Sequence, residues 1–103
     1  MKALVKMHGI DAGVLKREGD TVTFQYDANY PASGKPALSF SLPLRQAPYT
    51  TEGLHPYFSG LVSEGWLKRI QSFEQGIHPD DDFLRLVKNG KDLAGAVTIE
   101  EMR

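Results

Sequence analysis

The apolar residues of this chain change their spacing once, and that change divides the fold. In the strand-like stretches of the first 44 residues they recur at every second position, the period of a strand with one buried face. From there Leu54, Tyr57, Phe58, Leu61 and Val62 stand at i, i+3, i+4, i+7 and i+8, the stripe of a helix with one buried side. Everything later reads as helix and one last strand. The expectation is an α+β fold: a small curved antiparallel sheet covered by three short helices, with a closing C-terminal strand. At 103 residues the chain is one domain, 1–103.

The strand readings follow from alternation. Ala3, Val5 and Met7 share one face of residues 2–8, and Gly9 to Gly13 reads as the connecting turn. Val14 to Glu18 is a second short strand. Thr21 to Tyr26 is the cleanest of all, with Val22, Phe24 and Tyr26 opposite Thr21, Thr23 and Gln25. Short turns make these three an antiparallel meander. Asn29 to Pro36 is a loop, and Leu38, Phe40 and Leu42 against Ser39 and Ser41 predict a fourth strand ended by Pro43. Arg45 to Gly53 reads as an irregular connection.

Helix signals follow. Pro56 suits the first position of the first helix, where its missing N–H costs nothing, although a start near Thr51 is equally compatible with the sequence. Ser63 and Glu64 suit the start of a second helix running to about Phe73, with Trp66, Leu67, Ile70 and Phe73 on one side and Gly76 breaking it. Pro79 and Asp80-Asp81-Asp82 open a third, in which Phe83, Leu84 and Val87 are buried, Lys88 lies in the last turn and Gly90 supplies a left-handed cap. Ala94 to Ile99 is the closing strand. Leu54, Phe58, Leu61, Ile70, Phe83 and Val87 are the expected core.

Composition removes whole classes of function. Twelve basic against 13 acidic residues leave a net charge of −1, with no basic excess to neutralise a phosphate backbone. Without cysteine there is no disulfide, thiol nucleophile or thiolate metal site. No N-terminal charged-then-apolar signal and no apolar run near 18 residues is present, so a soluble, cytoplasmic protein is expected. His8, His55 and His78 have no ligand spacing, and each reads as structural or solvated. Asp80-Asp81-Asp82 lacks the alternating spacing and downstream Glu of a calcium loop, while a helix N-terminus explains it. No serine lies in a nucleophile elbow, and no phosphate-binding glycine motif occurs. No enzyme, no metal and no cofactor is expected.

Three blocks resemble a known family. Leu38-Ser39-Phe40-Ser41-Leu42-Pro43-Leu44, then Tyr57-Phe58-x-x-Leu61-Val62-Ser63-Glu64-Gly65, then Phe83-Leu84 through Gly90-Lys91-Asp92-Leu93-Ala94-Gly95-Ala96-Val97, are similar in order and spacing to the small N-terminal subdomain of the HipA toxin kinases. The resemblance covers essentially the whole chain. The kinase core that follows in that family, with its ATP-binding lysine, catalytic aspartate and metal-binding asparagine, is missing, and Ser63 replaces a proline usual in the family. The chain therefore resembles the small free-standing component of three-component HipBST-type toxin–antitoxin systems. The resemblance implies an antitoxin that neutralises a HipT-type serine/threonine kinase lacking this subdomain, with a helix-turn-helix protein as third partner. Two alternatives stand beside it: a structural N-terminal segment or remnant of a longer HipA-type kinase, and a DNA-associated co-regulator acting through the helix-turn-helix protein.

A subdomain separated from its kinase keeps the face that once packed on the remainder, apolar at its centre and polar at its rim. Trp66, the only tryptophan, is the expected anchor, with Ser63, Glu64, Gly65, Lys68 and Arg69 around it. Trp66 also has a core reading, because Ile70 and Phe73 lie on the same side of the helix.

Overall fold

The structure is a computed structural model, and it describes residues 1–34, 36–61, 75–76, 81–90 and 96–102. Five antiparallel strands form one sheet in the order β4-β3-β2-β1-β5. They are β1 (Lys2–Met7), β2 (Ile10–Glu18), β3 (Thr21–Tyr26), β4 (Tyr49–Glu52) and β5 (Val97–Met102). Two short helices among the described residues, α1 (Pro56–Ser59) and α2 (Asp82–Lys88), complete an α+β architecture. The expected helix from Glu64 to Phe73 lies outside the described residues.

Alternation selects the buried face. Ala3 and Val5 of β1, Leu15 of β2, Val22, Phe24 and Tyr26 of β3 and Val97 and Ile99 of β5 are buried together with Phe58, Phe83, Leu86 and Val87 from the helices. On the opposite face Lys16, Glu18, Thr21 and Gln25 are exposed, and Leu4 and Val14 are half-buried. Leu54 and Leu61 pack on the core from partly buried positions, and Ile70 lies outside the described residues.

The first hairpin is tighter than the glycines suggest. The turn is His8-Gly9 alone, both with positive φ (51° and 80°), as a two-residue I′ turn requires. Strand β2 therefore begins at Ile10, not Val14. The segment Gly9 to Gly13 is mostly ladder, because an irregularity between Val5 and Lys6 places Val5 opposite Gly13 and Lys6 opposite Asp11. Ala12 is the extra residue, and the bulge lets Ala12 and Gly13 both turn inward. Gly19, at φ 59°, supplies the left-handed residue of the β2–β3 turn.

Two strand readings change. Leu38 to Leu42 is not a strand: Ser39 and Leu42 form an isolated bridge, and the Leu42 N–H donates to the Ser39 carbonyl at 3.0 Å, closing a turn. The place beside β3 belongs instead to Tyr49–Glu52, inside the expected irregular connection. Four residues with two adjacent threonines carry too little apolar periodicity to be seen, and tertiary pairing decides. At the other edge, β5 begins at Val97 and runs on to Met102, past Ile99.

Helix α2 begins at Asp82, later than the expected opening at Pro79, so Asp81 precedes its first turn instead of lying in it. Asp81 is the N-cap, with Oδ1 accepting from the Leu84 N–H at 3.0 Å. The same oxygen accepts from Arg17 Nη1 at 2.7 Å, and the Arg17 guanidinium lies 4.9 Å from the centre of the Phe83 ring. Strand β2 and helix α2 are joined there. Arg85 is 1% exposed, and Leu86 takes the inner position expected for Leu84, which is only half-buried. Gly90 corrects the expected left-handed cap: it has no positive φ, and the C-cap is Asn89. Its glycine is needed for closeness. A Cβ there would lie 2.7 Å from the Ile99 carbonyl carbon and closer still to its oxygen, while the Ile99 N–H donates to the Gly90 carbonyl at 2.9 Å.

Candidate partner-binding site

The residues expected to bind a partner, Ser63, Glu64, Gly65, Trp66, Lys68 and Arg69, all lie outside the described residues. The structure does describe the helix that precedes them and a loop beside it.

Helix α1 is one turn long, so capping and packing rather than propensity hold it. Pro56 occupies the first turn, as expected, and His55 is the N-cap: its Nδ1 accepts from the Tyr57 N–H at 3.1 Å. His55 is thus a capping histidine. Phe58 is fully buried, its ring 5.2 Å from that of Phe24 and 5.1 Å from that of Tyr57. This aromatic contact holds α1 on the sheet. Burial raises the Tyr57 hydroxyl above its ordinary pKa, so it stays a neutral phenol at physiological pH.

The loop from Pro36 to Leu44 is held by three tyrosine hydroxyls from outside it. Tyr30 donates to the Pro36 carbonyl at 2.7 Å. Tyr26 accepts from the Leu38 N–H at 3.0 Å and donates to the Leu42 carbonyl. Tyr49 donates to the Pro43 carbonyl. Leu38 and Leu42 sink into the core as the loop's two feet. Tyr26 and Tyr30 stack with ring centres 5.8 Å apart, and burial raises both their pKa values. Within the turn, Ser39 Oγ accepts from the Ser41 N–H at 3.2 Å and lies 3.0 Å from Ser41 Oγ. Phe40, between the two serines, is 104% exposed. Arg45 is bound back on the same arm, its Nη2 donating to the Pro48 carbonyl at 3.0 Å and its guanidinium 3.6 Å from the Tyr49 ring centre.

Alternation of apolar residues does not distinguish this loop from a strand. The signal was present in the two prolines bracketing Ala37 to Leu42, which remove ladder donors from both ends. The tyrosine hydroxyls around the loop are spent on holding its backbone. Among the described residues there is no cluster of three metal-binding side chains, and no helix is long and apolar enough to cross a membrane.

Comparison with known proteins agrees with the fold. The family model of the HipA N-terminal domain matches residues 3–100. A solved structure of the N-terminal domain of HipA toxin superposes with a TM-score of 0.74 at 33% identity, covering 99% of this chain and 94% of that one. A protein of Haemophilus influenzae is 39% identical over 97 residues, which are 94% of this chain and 89% of that protein. Two Sinorhizobium fredii proteins named only as candidate kinases are also similar. Y4mE is 36% identical over 62 residues, and Y4dM is 31% identical over 104. The chain spans only 15% and 25% of their respective lengths, and the part it matches is the small N-terminal subdomain, without the kinase catalytic region. With the five-stranded sheet, the two helices and the residue match in agreement, this chain belongs to the HipA N-terminal domain family.

Proposed function

We propose that this protein is an antitoxin that binds and neutralises a HipA-like serine/threonine kinase of the HipT type by docking beside its active site. One observation carries the reading: the same domain makes up 89% of the length of the Haemophilus relative but only 15–25% of the two kinase-named relatives. A domain found both in a long chain and as nearly all of a short one can rebind the long partner in trans, using the face it would otherwise present to its own continuation. Net charge supports recognition of protein rather than direct contact with DNA, so the helix-turn-helix protein of a HipBST-type system would be reached through the kinase. Such a complex belongs in the cytoplasm, beside the kinase's substrates.

In this reading Trp66 is the anchor and Ser63, Glu64, Gly65, Lys68 and Arg69 form its polar rim. Tryptophan is the residue type most enriched among binding hot spots. A ring entering the kinase cleft would exclude nucleotide or substrate while the kinase stays folded. The test is co-expression with a HipA-like kinase chain lacking its N-terminal domain. Co-purification and restored growth are expected, and Trp66→Ala should cost ~2–4 kcal/mol of binding with the thermal midpoint of the free protein nearly unchanged. Failure of the wild-type protein to bind and to restore growth would refute the antitoxin reading. A Trp66→Ala protein that melts many degrees lower yet still silences the kinase would place Trp66 in the core.

A further inference from the structure

We infer that the loop from Pro36 to Leu44 is a second, preformed docking element, and that the Phe40 ring inserts into an apolar pocket on the body of the same kinase partner. The inference rests on the proposed antitoxin reading and adds to it a contact site separate from Trp66.

The loop is fixed to an unusual degree for a surface connection. Tyrosine hydroxyls from three different parts of the chain bind its backbone at Pro36, Leu38, Leu42 and Pro43. Two buried leucines anchor it on either side of the turn. The Ser39 side chain caps the turn from within. All of this holds rigid a segment whose central side chain, Phe40, makes no use of the order for folding: it is wholly in solvent. Scattered exposed apolar residues are normal on protein surfaces. A phenylalanine on the tip of a braced turn differs, because the ordering cost of binding has been met in the free protein. Burial of such an aromatic at the centre of an interface is what makes a hot spot.

The occupant follows from size and charge. This domain occupies about a quarter or less of the kinase-named relatives, so most of each of those chains is available for a face of the domain to pack against. Neither neighbour of Phe40 is charged, and the nearby Arg45 is held on Tyr49 and the Pro48 carbonyl. The tip therefore presents an apolar ring edged by two serines, which suits an apolar pocket with a polar lip on a folded protein.

The experiment measures affinity of the full chain for a HipA-like kinase lacking its N-terminal domain, comparing wild type, Phe40→Ala and Ser39→Ala. Phe40→Ala should weaken binding about 30-fold or more, the hot-spot range, with the thermal midpoint of the free protein unchanged. Ser39→Ala keeps the ring but loosens the turn, and should weaken binding several-fold through a faster off-rate. Wild-type binding that Phe40→Ala leaves intact would overturn this inference while leaving the antitoxin reading standing. Absence of wild-type binding would remove both. A lower midpoint for free Phe40→Ala would show that the ring is covered within the chain, and a wild-type dimer made monomeric by Phe40→Ala would show a second copy as occupant; either overturns the proposal.

Discussion

Replacing Gly90 by alanine tests the contact between helix α2 and strand β5. The added methyl would lie 2.7 Å from the Ile99 carbonyl carbon and 2.8 Å from its Cβ, whereas real Cβ atoms essentially never approach within 3.0 Å. The obstacle is backbone, so no rotamer change relieves it. Either the end of α2 retreats or β5 shifts on β1. Retreat breaks the bond from the Ile99 N–H to the Gly90 carbonyl, about 0.5–1.5 kcal/mol, and overpacking adds about 1–3 kcal/mol. The expected loss is ~2–4 kcal/mol, a large part of the ~5–15 kcal/mol typical of a domain this size. In urea, with a slope near ~2 kcal/mol/M, the midpoint should fall by about 1–2 M. Gly19 is the control, because its φ is 59° and a Cβ there would meet nothing within 4 Å. Gly19→Ala should lose ~1–2 kcal/mol through backbone strain, and Gly19→Asn should recover much of it, since asparagine tolerates the left-handed region. Gly90→Asn should recover nothing. A Gly90→Ala loss below ~0.5 kcal/mol, or a rescue by asparagine, would refute the close-approach account.

Phe58→Ala should cost ~3–5 kcal/mol, the range for emptying a large buried aromatic site, read by chemical denaturation; below ~1 kcal/mol, the packing of α1 on Phe24 would be wrong. Tyr26→Phe leaves the Leu38 N–H and the Leu42 carbonyl without their buried partner and should cost ~1–3 kcal/mol, with amide exchange at Leu38 rising more than elsewhere in the domain. Burial raises the pKa of Tyr26, Tyr30 and Tyr57 above the ordinary value near 10. The stability these neutral phenols confer is fully present below that value and lost as pH rises through their folded-state pKa values. Ultraviolet titration should show part of the tyrosine ionising only together with alkaline unfolding, and four tyrosines titrating freely near pH 10 in the folded protein would contradict it.

What could be read from the sequence was local. Val22, Phe24 and Tyr26 declare their strand because one face is buried along its whole length, and β1 does the same through Ala3, Val5 and Met7. Pro56 marks a helix start because a missing N–H costs nothing in the first turn, while the Asp80-Asp81-Asp82 run announces a helix but not that Asp81 is its cap. Three motif blocks also carry the family. Tertiary structure decided what depends on a distant partner. Tyr49–Glu52 is a strand because β3 offers an edge, and Leu38 to Leu42 is a braced turn because Tyr26, Tyr30 and Tyr49 reach it from elsewhere in the chain. Arg85 turns inward although its charge argues for solvent, and Gly90 is glycine because Ile99 is beside it. In each case the deciding atoms lie several residues or more away along the chain, and only folding brings them within contact distance.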